Sequence, residues 1–172
     1  MTGTTPRTIG SQRNDVVTMQ TLDADTLRAQ VRRLVHFDTQ RSELGLDLTV
    51  NAVFHITMGG RLDFGGSEFQ PADREPLTPQ RAHPDDEYGW WNLEAGTYII
   101  RYNEALDLEA GQRVEVFPHE RLLQAGVSHP AFTVQGAQDP LETLLTVGTS
   151  GCHLKENCRV SRLVGIAPIA DH

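Results

Sequence analysis

From Leu46 onward the chain keeps building short runs of alternating or β-branched residues and then breaking them with glycine, proline or asparagine. Leu46-Asp47-Leu48-Thr49-Val50-Asn51-Ala52-Val53 alternates, Phe54 to Thr57 extends it, and Gly59-Gly60 makes a turn before a short strand expected over Arg61–Phe64. Further strands are expected over Thr97–Tyr102, Val114–Phe117, Phe132–Gln135, Leu144–Val147 and Val160–Ile166. These short strands recur at spacings of about 10–20 residues, with turn residues between them. They point to an all-β sandwich or barrel-like jelly roll. One helix is expected before them, capped by Asp25, with Leu27, Val31, Leu34 and Val35 on its apolar face.

The remaining segments set the limits of the domain. Residues 1–20 are rich in Thr, Arg and Asn and read as a flexible N-terminal tail, with a single domain over residues 21–172. Between residues 65 and 89, Gly65, Gly66, Pro71, Pro76, Pro79, Pro84 and Gly89 punctuate a polar stretch. A partly ordered surface loop is expected there, with a lid as the sharper reading. A net charge of −8 argues against a nucleic-acid partner, which needs a basic footprint, but leaves room for a small phosphorylated ligand met by a local arginine cluster. No run approaches the ~20 apolar residues of a membrane span, and the N-terminal stretch lacks an apolar signal core. A cytoplasmic location is therefore expected. Cys152 and Cys158 are read as reduced, buried structural residues and not as metal ligands, and His36, His55, His83 and His129 show no ligand spacing.

One junction carries chemistry. A strand ending in Val116-Phe117 runs into Pro118-His119-Glu120-Arg121-Leu122-Leu123-Gln124-Ala125-Gly126. A strand-to-helix turn exposes backbone N–H groups and side chains able to hold an anion. Here three ionisable residues stand together in that turn.

The segment "WNLEAGTYIIRYNEALDLEAGQRVEVFPHERLLQAG" resembles the dUTPase/dCTP deaminase superfamily, most of all its archaeal-type and deaminase-type branch. "GLDLTV" resembles that family's first motif, with Asp47 at its aspartate. "AQDPLETLLTV" resembles its D-P-G-Y-x-G hairpin and the next strand, and "LKENCRVSRLVGI" its closing strand. The similarity spans roughly residues 44–167 in the family's order. It implies a distorted jelly roll of the β-clip type, a homotrimer with nucleotide sites between subunits, and a deoxynucleotide ligand. It places substrate contacts at Asp47, Glu120, Arg121, Gln124, Gly126, Arg159 and Arg162, with Asp139 and Glu142 as catalytic carboxylates. Mg²⁺, held largely by the triphosphate, is implied only where dUTP hydrolysis is retained.

The chain departs from the family where the chemistry lies. The frame of Pro118, Leu122, Leu123 and Gly126 matches, but the family's Arg-Ser-Ser becomes His119-Glu120-Arg121 and its later Arg becomes Gln124. Asp139-Pro140 opens the third motif, yet its Gly-aromatic-Gly is missing. Thr146 stands near the position of the deaminases' proton-shuttling glutamate, leaving Glu142 as the nearby carboxylate. Arg159 matches the closing strand and Arg162 replaces a glutamine. Three apart on a regular strand, these two arginines face opposite ways unless the strand is bulged. Two function classes follow. One is a catalytically weak or silent nucleotide- or ligand-binding relative, a pseudoenzyme. The other is an active enzyme hydrolysing dUTP to dUMP and pyrophosphate or deaminating dCTP. The altered motifs favour the first.

Overall fold

The computed structural model describes residues 18–169. Fifteen strands carry the fold: β1 (Met19–Leu22), β2 (Val31–Arg32), β3 (Arg41–Ser42), β4 (Gly45–Met58), β5 (Asp73–Pro76), β6 (Trp90–Leu93), β7 (Gly96–Tyr102) and β8 (Ala105–Asp107) form the first half. The second half holds β9 (Arg113–Pro118), β10 (Val127–Ser128), β11 (Phe132–Gln135), β12 (Ala137–Gln138), β13 (Glu142–Val147), β14 (Cys152–Lys155) and β15 (Arg159–Pro168). Three short helices interrupt them: α1 (Ala24–Arg28), α2 (Phe37–Gln40) and α3 (Glu120–Gln124).

The large sheet runs β10-β13-β7-β4-β15-β9-β11, all antiparallel, and small sheets β12-β8-β2 and β14-β6 complete the expected all-β jelly roll. Its distortion comes from two long strands that change partners. β4 pairs with β15 through Leu46–Thr49, then with β7 through Val50–His55 and with β5 beyond Phe54, shifting register between Val50 and Ala52 and again between Ile56 and Met58. β15 pairs with β4 through Arg159–Leu163, with β9 through Ser161–Ile166 and with β1 through Gly165–Pro168. Each switch bends the sheet, so the first half of β4 is buried on both faces while its second half emerges at the surface. Leu46, Leu48, Ile100, Leu106, Leu145 and Leu163 fill the centre with no exposed surface. Gly45 admits no larger residue: at φ +146° its Cβ would lie 2.1 Å from the Leu163 carbonyl oxygen.

Several local expectations are corrected. The long N-terminal helix does not form. Asp23, not Asp25, caps α1 by accepting from Thr26 N–H (2.7 Å), and the helix ends after five residues. Val31 then pairs in β2 with Leu106, and Arg33 takes a left-handed conformation (φ 62°) that no helix tolerates. Apolar spacing that looked helical thus belongs to a helical turn followed by a strand. Arg61–Phe64 forms no strand; only Arg61 bridges, to Gln70. Residues 1–17 of the expected tail lie outside the described residues, whereas Met19 and Gln20 pair with Pro168 and Ala167. Within 65–89, β5 lies along β4 as an edge strand ending in Pro76, where a missing N–H costs least. No helix among the described residues is long and apolar enough to cross a membrane.

Candidate functional site

The first motif aspartate is a buried hub. Asp47 lies on the doubly covered half of β4 with almost no exposed surface. Arg159 Nη1 donates to its Oδ2 (3.1 Å) and Arg162 Nε to its Oδ1 (3.2 Å). Both arginines reach it because β15 shifts register between Arg159 and Ser161. The extra residue breaks the two-residue alternation, so side chains three apart share one face. His119 joins them: its Nε2 lies 3.4 Å from Asp47 Oδ2, and its ring is buried. Its Nδ1 accepts from the Arg121 N–H (3.2 Å) as the cap of α3, so the ring proton sits on Nε2 and points at the carboxylate.

A second buried carboxylate steadies this hub without any cation. Glu104, fully buried at the end of the Tyr102-Asn103-Glu104 motif, accepts from Gln40 Nε2 (2.7 Å), Thr49 N–H (2.9 Å) and Thr49 Oγ1 (2.7 Å). The same Gln40 amide donates to the Asp47 carbonyl (2.9 Å), which ties α2 to β4 beside the hub. Burial pushes the Glu104 carboxyl above the usual range, against the pull of those three donors.

The turn itself is open to solvent. Glu120, Arg121 and Gln124 are exposed, and Gly126 ends α3 in the left-handed conformation (φ 73°). No Glu120–Arg121 ion pair forms. Arg121 and Arg159 instead line a largely apolar cavity of about 350 Å³, together with His36, Gln40, Thr49 and Cys158. Burial raises both thiols, Cys152 upward and Cys158 to about 12, so neither is a ready nucleophile.

The two catalytic candidates stand elsewhere. Asp139, at a cis Asp139–Pro140 peptide, is gripped by Arg33 through Nη1 (2.9 Å) and Nη2 (2.7 Å), with Arg32 3.6 Å away. The Arg33 hydrogen bonds hold its carboxyl below the usual range. Glu142 sits between Arg74 and Arg101, each 2.8 Å away. Burial pushes its carboxyl up, but those two guanidinium groups outweigh it and its pKa lies below the ordinary value. The single chain therefore brings Asp47, Arg159 and Arg162 together with His119, leaves Glu120, Gln124 and Gly126 at the open turn, and keeps Asp139 and Glu142 out of the cavity lined by Arg121. Arg33, Arg74, Arg101, Gln40 and Glu104 escaped the sequence reading as site residues, although Glu104 lies inside the matched Tyr-Asn-Glu segment. Among the described residues no group of three or more His, Cys, Asp or Glu side chains is placed to hold a metal ion.

The fold is that of the dUTPase-like jelly rolls. A 2′-deoxycytidine 5′-triphosphate deaminase from Agrobacterium tumefaciens superposes with a TM-score of 0.61 at 16% identity, covering 87% of this chain and 49% of that one. A protein of Methanosarcina acetivorans named probable deoxyuridine 5′-triphosphate nucleotidohydrolase is 27% identical over 155 residues, 85% of this chain and 87% of its own length. A protein of the same name from Halobacterium salinarum is 34% identical over 87 residues, 51% of each chain. No family model matches the chain. Relatives of that name along most of its length, together with that fold, support a likeness of the chain to the dUTPase/dCTP deaminase superfamily.

Proposed function

We propose that this chain is a dUTPase-like, nucleotide-binding member of its superfamily whose catalytic step is weak or silent. The observation that carries the reading is the inward capture of the phosphate-site side chains. His119, where relatives of this family place an arginine, caps α3 and points at Asp47, and Arg159 and Arg162 converge on the same buried carboxylate. What the turn then offers a polyanion is Arg121 beside the exposed, like-charged Glu120. An anion approaching Arg121 meets repulsion from its neighbour.

The carboxylates support the same reading. Deamination needs a group that takes and returns a proton near neutral pH. Glu142 is held ionised between two arginines, and a carboxyl of depressed pKa is a weak base. Hydrolysis of dUTP asks only that an ionised carboxylate orient water, and Asp139 is ionised and exposed. It is, however, already turned to Arg33, and the hairpin after it lacks the aromatic that would pack on a sugar. Loss of positioning by about 1 Å costs about 100-fold in rate. The protein's own donor set does not fit a resident Mg²⁺, because Asp47, Asp139 and Glu142 are each engaged by arginine; an ion in any turnover would arrive with the triphosphate.

Assembly belongs to the same proposal. The Arg121 cavity and the Asp139–Glu142 region are separate within one chain, and a homotrimer would let one copy's carboxylates face another copy's turn. The second reading, active hydrolysis of dUTP to dUMP and pyrophosphate, is favoured by the names of the Methanosarcina and Halobacterium relatives. A nucleotide panel decides between them, with thermal shift for binding and pyrophosphate release for turnover, each with and without Mg²⁺. Stabilisation by dUTP or dCTP with little turnover is the expected result. Robust turnover abolished by Asp139→Asn would overturn the silent reading, and a panel without any stabilisation would remove the nucleotide as ligand.

A further inference from the structure

We propose that the outer face of the β6–β14 ribbon is a second binding site, for a nucleoside phosphate, apart from the Arg121 turn and the Asp139–Glu142 region, with His153 alone also bordering the Arg121 cavity. The ribbon is short, and its pairing sorts its side chains cleanly. Trp90 faces Lys155 and Asn92 faces His153 across the two strands. Residues directly opposite in an antiparallel pair share a face. Trp91, Leu93 and Leu154 therefore go into the core, while Trp90, Asn92, His153 and Lys155 project outward. Gln80 extends this face as a third row, anchored by Gln80 N–H to the Trp90 carbonyl (2.9 Å) and Trp90 N–H to the Gln80 carbonyl (2.8 Å). The result is an open groove of about 430 Å³ lined by Gln80, Arg81, Ala82, Trp90, Asn92 and His153.

The chemistry of that face matches a base with a phosphate. Trp90 is 39% exposed and offers a flat stacking surface. Lys155 Nζ lies 5.3 Å from its ring centroid, so an ammonium already rests on the platform. A stacked base displaces it and leaves it free, with Arg81, to meet a phosphate. The imidazole is oriented: the Asn92 amide oxygen can only accept, so its 2.6 Å bond to His153 Nδ1 places the ring proton there and leaves Nε2 as an acceptor. A base amino group or a ribose hydroxyl can donate to it, while the Gln80 and Asn92 amides face the base edges. The neighbouring carboxylate Glu156 is turned away to accept from Gly89 N–H (2.6 Å). Two cations on a chain of net charge −8 suit a single nucleotide and not a nucleic-acid strand.

AMP is the probe, titrated by calorimetry and by tryptophan emission, with ribose 5-phosphate as the control that lacks a base. The expected result is saturable AMP binding that quenches emission, no quench with ribose 5-phosphate, and affinity at least about tenfold weaker in Trp90→Leu. His153→Ala, which removes the exposed imidazole and its bond to Asn92, repeats the loss without touching the ribbon's core face. Arg121→Ala leaves AMP binding unchanged, which separates this site from the turn. Absence of saturable AMP binding at millimolar concentration, equal affinity in Trp90→Leu and His153→Ala, or loss of binding in Arg121→Ala would each overturn the assignment.

Discussion

Glu104→Gln keeps the size of a fully buried side chain and changes only what its two terminal atoms can do. In the native protein both carboxylate oxygens accept: Oε1 from Gln40 Nε2 and Thr49 Oγ1, and Oε2 from Thr49 N–H. A glutamine keeps one oxygen. Placed at Oε1 it preserves two bonds but sets an NH₂ against the Thr49 N–H, donor against donor. Losing a bond to a charged acceptor costs about 1.5–3 kcal/mol, and stranding a buried N–H costs about 1–3 kcal/mol more. Removing a buried charge offsets part of this, so the net loss is about 2–4 kcal/mol. For a chain of this size that is a fall of roughly 5–15 °C in Tm. The pH dependence has a definite sign. Burial raises the Glu104 pKa in the folded state, so the folded protein holds this proton more tightly than the unfolded chain. The contribution of this group to stability is full below the ordinary glutamate range and declines as pH rises through the raised value. Urea unfolding of both proteins at fixed concentration across that range is the assay. A variant as stable as the parent, or one that shows the same decline with rising pH, refutes the view that three donors and one buried charge set the geometry here.

Three further outcomes follow from the site. Glu120→Ser combined with Arg121→Ser rebuilds a hydroxyl pair on the intact Pro118–Gly126 frame, and calorimetry with dUTP and dCTP is expected to show a gain in affinity of several-fold; no gain would move the lesion to the shortened hairpin after Asp139. Glu142 has a depressed pKa despite burial, so its contribution is present above the ordinary carboxyl range and lost as pH falls; acid unfolding of Glu142→Gln is expected to show a shallower acid limb than the parent. Arg33→Ala removes the bidentate partner of Asp139, and carbon-detected NMR titration is expected to show that carboxyl returning upward toward its ordinary value.

The strands were legible because alternation survives wherever one face is buried. Phe132–Gln135 forms β11 as read, and Val114–Phe117 and Val160–Ile166 fall inside β9 and β15. The helix expected from Leu27 to Val35 was not, because spacing alone cannot tell one long helix from a turn followed by a two-residue strand. In the site, Asp47, Arg159 and Arg162 were legible as candidates, but the bulge that unites them has no letter of its own. A register shift is a property of how β15 lies against β4. The grip of Arg33 on Asp139 joins residues 106 apart, and nothing local to either residue announces it.

The pairing of β1 with the end of β15 also fixes how the molecule meets force. Thr18 and Ile169 are hydrogen-bonded neighbours, and from them the ladder runs inward through Met19–Pro168 to Leu22–Gly165. Tension applied at these two points acts across the strands, along the direction of their hydrogen bonds, and not lengthwise. Such a load falls on one rung at a time, as in opening a zipper, so this edge peels at low force before any shear reaches β4 and β9. In a chain tethered at both ends, the segment beside α1 would be the first to yield.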